Sequence, residues 1–157
     1  MARGLGGHEE RIISVLEILL RGLAAGALLA TGLAMGLGGR RSPARVTGAV
    51  FCFAAAAFAL HSEGAETAAL GILQAPVWLL SAGGSGYFWL FAVTLFDDRP
   101  FGLAGLLPAA ALTVLAAVAE SLPRATANGV WVAHNLAEMA LVAHVLYRFD
   151  TGGLENG

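Results

Sequence analysis

Four polar residues, His134, Asn135, Glu138 and His144, stand close together in an otherwise apolar stretch near the C-terminus. On a helix, residues three or four apart share a face, so His134 stacks on Glu138 and Asn135 lies beside Glu138. An imidazole next to a carboxylate can hold and release a proton near neutral pH. Polar groups in apolar surroundings are costly unless paired, so these side chains are expected to face the interior of a bundle. The plainer reading, which we adopt, is a structural hydrogen-bond cluster linking helices. The functional alternative is a small polar pocket or a proton-sensitive switch, with His134 titrating against Glu138. A metal centre has least support, because no third ligand stands at a suitable spacing.

Glu17 and Arg21 form a second candidate pair, four residues apart on one helix face. Buried in a membrane, such an ion pair could gate or sense. The plainer reading places both at the interface, with the apolar span starting near Gly22 and Arg21 snorkelling. Cys52 sits in an apolar run and is the only cysteine, which excludes a disulfide framework and suggests an inert thiol. No nucleophile–base pair and no zinc signature is visible. Gly83-Gly84-Ser85-Gly86 is not a phosphate loop, since no Lys follows it. The sequence therefore predicts no enzyme, no metal and no cofactor.

The elements that must position these residues are dictated by composition. Of 157 residues, 57% are hydrophobic and 13% charged, with mean hydropathy +0.73. Soluble domains are about 45–50% apolar and about 25% charged. A soluble fold of this size needs more polar surface than these residues supply. A bilayer removes that need but requires every backbone polar group to be paired internally, so the spans should be helices. The expected fold is all-α: a polytopic transmembrane bundle of about five spans, with four as the alternative.

A hydrocarbon core of about 30 Å takes about 20 apolar residues per helix. Five stretches approach this: Ile12 to Gly38, Val46 to Leu60, Ala68 to Phe96, Gly102 to Leu122 and Asn128 to Tyr147. The first reads as a retained helix rather than a cleaved signal peptide, because its apolar run is long and Gly38-Gly39-Arg40-Arg41 is a poor cleavage site. Short connectors favour antiparallel neighbours. Residues 1–148 are read as a single transmembrane domain, and 149–157 as a short, Gly-rich, disordered tail.

All nine basic residues are Arg, against eleven acidic ones, and no basic run suggests nucleic acid. With five spans, one side carries Arg3, Arg11 and Arg124, and the other Arg40, Arg41, Arg45, Arg99 and Arg148. Arg enrichment marks the second side as cytoplasmic, which places the C-terminus inside.

Small residues and helix breakers add detail. Gly22-x-x-x-Gly26 and Gly32-x-x-x-Gly36 allow close helix approach. This spacing could serve homodimerisation or pairing with another membrane chain; the plainer reading is packing within this chain. Pro76 and Gly83–Gly86 could break the third stretch into a discontinuous helix lining a cavity. The plainer reading is a single span from about Pro76 to Phe96, preceded by an interfacial segment. Pro108 could kink the fourth helix or mark its first turn.

Within the third stretch, Trp78-Leu79-Leu80-Ser81 and Phe88-Trp89-Leu90-Phe91-Ala92-Val93-Thr94-Leu95-Phe96-Asp97-Asp98 resemble the membrane portion of AraC-type bacterial transcription regulators whose sensory half is a bundle of transmembrane helices. His134-Asn135-Leu136 and Leu146-Tyr147-Arg148 are similar to the last helix of that portion. The resemblance covers about Leu73 to Arg148, and its most specific element is Phe88 to Asp98, with Phe88, Trp89, Phe91, Phe96, Asp97 and Asp98 as the characteristic residues. It implies a multi-pass protein of the bacterial inner membrane, working as a sensory or anchoring module. In that family two helix-turn-helix units follow the last span. Phe149 to Gly157 is too short and Gly-rich for one, so no direct nucleic-acid contact is expected from this chain. Two alternatives are carried beside this reading: a small transporter or channel subunit whose polar path uses His134, Glu138 and Glu17, and a structural protein that only partners another membrane chain. The bilayer is the one certain partner under all three; the sequence names no ligand.

Overall fold

A computed structural model describes residues 6–39, 42–61, 71–96 and 102–154. The described residues form helices and no strands: α1 (Gly6–Leu37), α2 (Pro43–His61), α3 (Gln74–Ala82), α4 (Gly84–Phe96), α5 (Leu107–Ser121) and α6 (Arg124–Leu154). The all-α bundle predicted from composition is what the chain forms. Four helical segments are long and apolar enough to cross a membrane, and the bent pair α3–α4 makes five if counted as one span.

Local chemistry sets the ends. Gly39, at φ 27°, follows α1 in the left-handed region that stops a helix cleanly. The Arg45 guanidinium donates to the Ala34 carbonyl of the last turn of α1 at 3.2 Å. Ser42 then caps α2, its Oγ accepting the Arg45 backbone N–H at 3.3 Å, with Pro43 at the first helical position. Pro108 lies in the first turn of α5, after a 3-10 turn over Leu103–Leu106, so it starts the helix rather than kinking it. Leu122 is extended (φ −96°, ψ 154°), as the residue before a proline prefers, and Pro123 ends α5 one residue before α6 begins.

The helices pack as two hairpins on a broken central element. α1 lies against α2; α2 lies against α3 and α4; α5 and α6 pack on each other and close the other side of α4. The interior is made mostly of small residues, with Leu90, Leu112 and Val145 among the few larger ones. Ala25, Ala49, Ala54, Ala56, Ala57, Ala92, Ala109, Ala116, Ala119 and Ala127 are buried, while Leu23, Leu37, Val114, Met139 and Leu146 point outward. Water would not tolerate this arrangement; lipid does, since it offers large side chains an apolar solvent and leaves small ones to bring backbones together.

Three boundaries differ from the sequence expectation. The single span from about Pro76 to Phe96 is two helices meeting at Gly83 with a 56° bend. Gly83 is buried there, and an added Cβ would lie 3.0 Å from Thr113 Oγ1 and 3.2 Å from the Ala109 carbonyl, so the break packs tightly against α5. The last helix runs to Leu154 instead of ending at Tyr147, so residues 149–154 of the expected disordered tail are helical. Phe149, in that extension, meets Phe96 edge-to-face at 4.1 Å between ring centroids. At 32 and 31 residues, α1 and α6 are also longer than expected, each about 47 Å and so beyond the roughly 30 Å apolar core.

The glycine pairs divide. Gly32 packs within the chain, with an added Cβ 3.2 Å from Cys52 Cβ and 3.3 Å from the Ala49 carbonyl; Gly36 is looser, 4.0 Å from Ala49 Cβ. Gly22 and Gly26 have no atom within 4 Å of an added Cβ. Cys52 is buried on α2, facing α1 at Gly32.

Candidate functional site

The break at Gly83 determines the site. A bent helix exposes backbone and small side chains to its neighbours, and α6 uses both. Ser85, in the first turn of α4, donates from Oγ to Glu138 Oε1 at 3.0 Å. One turn earlier on α6, His134 Nε2 stands 3.4 Å from the carbonyl of Ala82, the last residue of α3. α6 therefore grips both sides of the break, one side chain on each.

His134 is 5% exposed and Glu138 half-buried. The Ala82 carbonyl can only accept, so this contact uses Nε2–H as donor and leaves Nδ1 turned towards α6. That Nδ1 faces Glu138 Oε2 at 3.9 Å and has no hydrogen-bond partner among the described residues. The Trp131 indole braces the His134 ring edge-to-face, with centroids 5.4 Å apart.

These residues line a cavity of about 220 Å³ between α2, α3, α5 and α6, which also takes in Phe58, His61, Trp78 and Glu120. Glu120 Oε1 accepts the Trp78 indole N–H at 2.9 Å, tying the end of α5 to α3. His61 closes α2, and its Nδ1 is buried without a hydrogen-bond partner among the described residues. His61, Glu120 and the α5–α6 turn belong to the same end of the bundle, so the cavity is a vestibule at that end. A second cleft of about 380 Å³ runs on from it between α2 and α6, sharing Phe58, Ser81 and Glu138 and floored by Gly84, Ser85 and Phe88.

The sequence candidates are thus partly assembled. His134 and Glu138 come together at the break. Asn135 is exposed and lines only the vestibule mouth. His144 is exposed as well and lies elsewhere, accepting the Trp89 indole N–H on Nδ1 at 3.0 Å, beside a cleft between α5 and α6. The interior location expected for all four holds for His134 and Glu138 only: Asn135 and His144 lie on opposite flanks of the buried face of α6, and both are exposed. Glu17 and Arg21 do pair, at 2.6 Å, but on the outer surface of α1. Phe88 and Phe91 pack on Phe51 of α2, at 5.5 Å tilted and 5.9 Å stacked. Asp97 and Asp98 lie outside the described residues. Among the described residues, no three His, Cys, Asp or Glu side chains converge as a metal site.

Sequence reasoning missed His61, Glu120 and Ser85. Glu120 offered a signal, as the sole acidic residue between Asp98 and Glu138. Ser85 offered none, hidden in a run of glycines. Comparisons with protein-family models, with curated proteins and with solved structures return no match.

Proposed function

We propose that the protein is a multi-pass sensory module of the bacterial inner membrane, in which the state of the vestibule is passed along α6 to its C-terminal end. The observation that carries this reading is the double grip of α6 on the helix break, Ser85 to Glu138 and Ala82 to His134. A break has two half-helices whose mutual angle can change; a long helix fastened to both halves converts that change into its own displacement. The Arg bias of the connectors supports a cytoplasmic C-terminal end of α6, with the vestibule opening to the opposite side. The similarity of Phe88–Asp98 and Leu146–Arg148 to the membrane half of AraC-type regulators supports the same direction of signalling, into whatever α6 contacts.

The test uses paired spin labels on Leu95→Cys and Asp150→Cys in a Cys52→Ser background, reconstituted in lipid. Breaking the grip with Ser85→Ala plus Glu138→Ala is expected to shift or broaden the distance distribution between the two labels. An unchanged distribution would refute the relay. A transporter is the second reading, favoured by the broken helix with polar groups at its gap. Solute or ion flux in liposomes, abolished by His134→Ala, would decide for it.

A further inference from the structure

The vestibule brings two carboxylates, two imidazoles and the Asn135 amide into one lining. His134 Nδ1, buried without a hydrogen-bond partner among the described residues, faces Glu138 Oε2 at 3.9 Å. His134 Nε2–H is turned to the Ala82 carbonyl, and the Ser85 hydroxyl and the Trp78 indole N–H are spent on Glu138 Oε1 and Glu120 Oε1. His61 Nδ1 adds another buried nitrogen without a partner among the described residues. Two carboxylates and no Arg or Lys line the cavity among the described residues. In a low-dielectric wall, that imbalance favours a guest that brings both positive charge and N–H donors. A divalent metal fits poorly, since no three ligating side chains converge. Phe58, Ala116 and Trp131 form the apolar part of the wall, and an aromatic face adds attraction for a cation. About 220 Å³ suits a short body, below the roughly 300 Å³ at which drug-sized pockets begin.

We propose that the vestibule binds a small primary ammonium ion, its N–H groups shared between Glu138 Oε2 and His134 Nδ1 and its short apolar body against Phe58 and Trp131. The proposal names the ligand class for the sensory reading and rests on that reading only for what occupancy does to α6.

The experiment titrates the full chain in detergent with propylammonium chloride, following tryptophan fluorescence and the melting temperature. Tetramethylammonium chloride, which has charge but no N–H, sodium chloride and sodium propionate serve as comparisons at matched ionic strength. Propylammonium alone is expected to give a saturable fluorescence change and a raised Tm. Glu138→Gln and His134→Ala should each weaken it by about tenfold or more, while Trp89→Phe, remote from the cavity, should leave it intact. The ligand series on the unaltered protein stands even where a variant fails to fold. A response equal for propylammonium, tetramethylammonium and sodium, or one indifferent to Glu138→Gln in folded protein, overturns the proposal. Binding without any change in the Leu95–Asp150 label distance upholds the site and refutes the sensory reading. A label distance that responds to Ser85→Ala plus Glu138→Ala, with no amine bound, upholds the relay and refutes the ligand.

Discussion

A Cβ placed on Gly86 would lie 2.4 Å from both Cα and N of Ala109, so α4 and α5 touch backbone to backbone one turn past the helix break. Neither partner is a flexible side chain that can move aside. The contact fixes how far α4 tilts, and with it the position of Ser85 beneath Glu138.

Gly86→Ala should therefore be strongly destabilising, at least the 1–3 kcal/mol or so typical of overpacking. Gly32→Ala, at 3.2 Å from Cys52 Cβ, should cost less. Gly22→Ala meets no atom within 4 Å and should be neutral or slightly stabilising. Denaturation of the three variants in one detergent checks the order, and equal stabilities would show that the α4–α5 contact is not tight.

The Ser85–Glu138 bond should be visible as a coupling. Ser85→Ala removes the donor from a half-buried carboxylate and is expected to cost about 1–3 kcal/mol. Glu138→Gln keeps an acceptor for the hydroxyl and should cost less. A double-mutant cycle between Ser85→Ala and Glu138→Ala should return a coupling of about 1 kcal/mol, whereas strict additivity would mean the bond contributes nothing.

Glu17 and Arg21 pair at the outer surface of α1, with side chains 47% and 33% exposed. Exposed pairs contribute about 0–1 kcal/mol. Glu17→Gln should leave stability within that range and leave the distance between labels at positions 95 and 150 unchanged. A large loss would place the pair in a dry environment.

Phe149 holds the end of α6 against Phe96. Phe149→Ala should remove an aromatic contact of about 0.5–1.5 kcal/mol beyond its buried area. Amide exchange over residues 148–154 is expected to accelerate while the middle of α6 keeps its protection. Uniform protection in the variant would mean the extension is held by something else.

Much of the architecture was legible in the sequence, because lipid solvation imposes a strong constraint: stretches such as Ile12–Gly38 and Gly102–Leu122 are largely apolar over the length a bilayer needs. The break at Gly83 was legible only as an alternative, since the stretch reads more simply as one span from about Pro76 to Phe96 after an interfacial segment; the decision depends on tertiary packing against α5. The helical stretch 149–154 was misread from Gly152 and Gly153, because local propensity cannot register Phe149 docking on Phe96. At the site, His134 and Glu138 were visible through their spacing on one helix. The partner Ser85 and the cavity neighbours Glu120 and His61 were not, because they come from three other helices and meet this site only through tertiary packing. Asn135 shows the limit of the spacing argument: a neighbour in sequence is turned about 100° around the helix and faces outward.

The most direct test of the account is whether lipid covers the outward apolar faces. Val114 and Met139 are 61% and 68% exposed, each near the middle of its span, whereas Asp150 is exposed at the end of α6. Single cysteines at these three positions, in a Cys52→Ser background, can be treated with a water-soluble maleimide in open membrane sheets. The bundle predicts rapid labelling at 150 and almost none at 114 and 139 until detergent denatures the protein. Equal labelling at all three positions in intact membranes would contradict it.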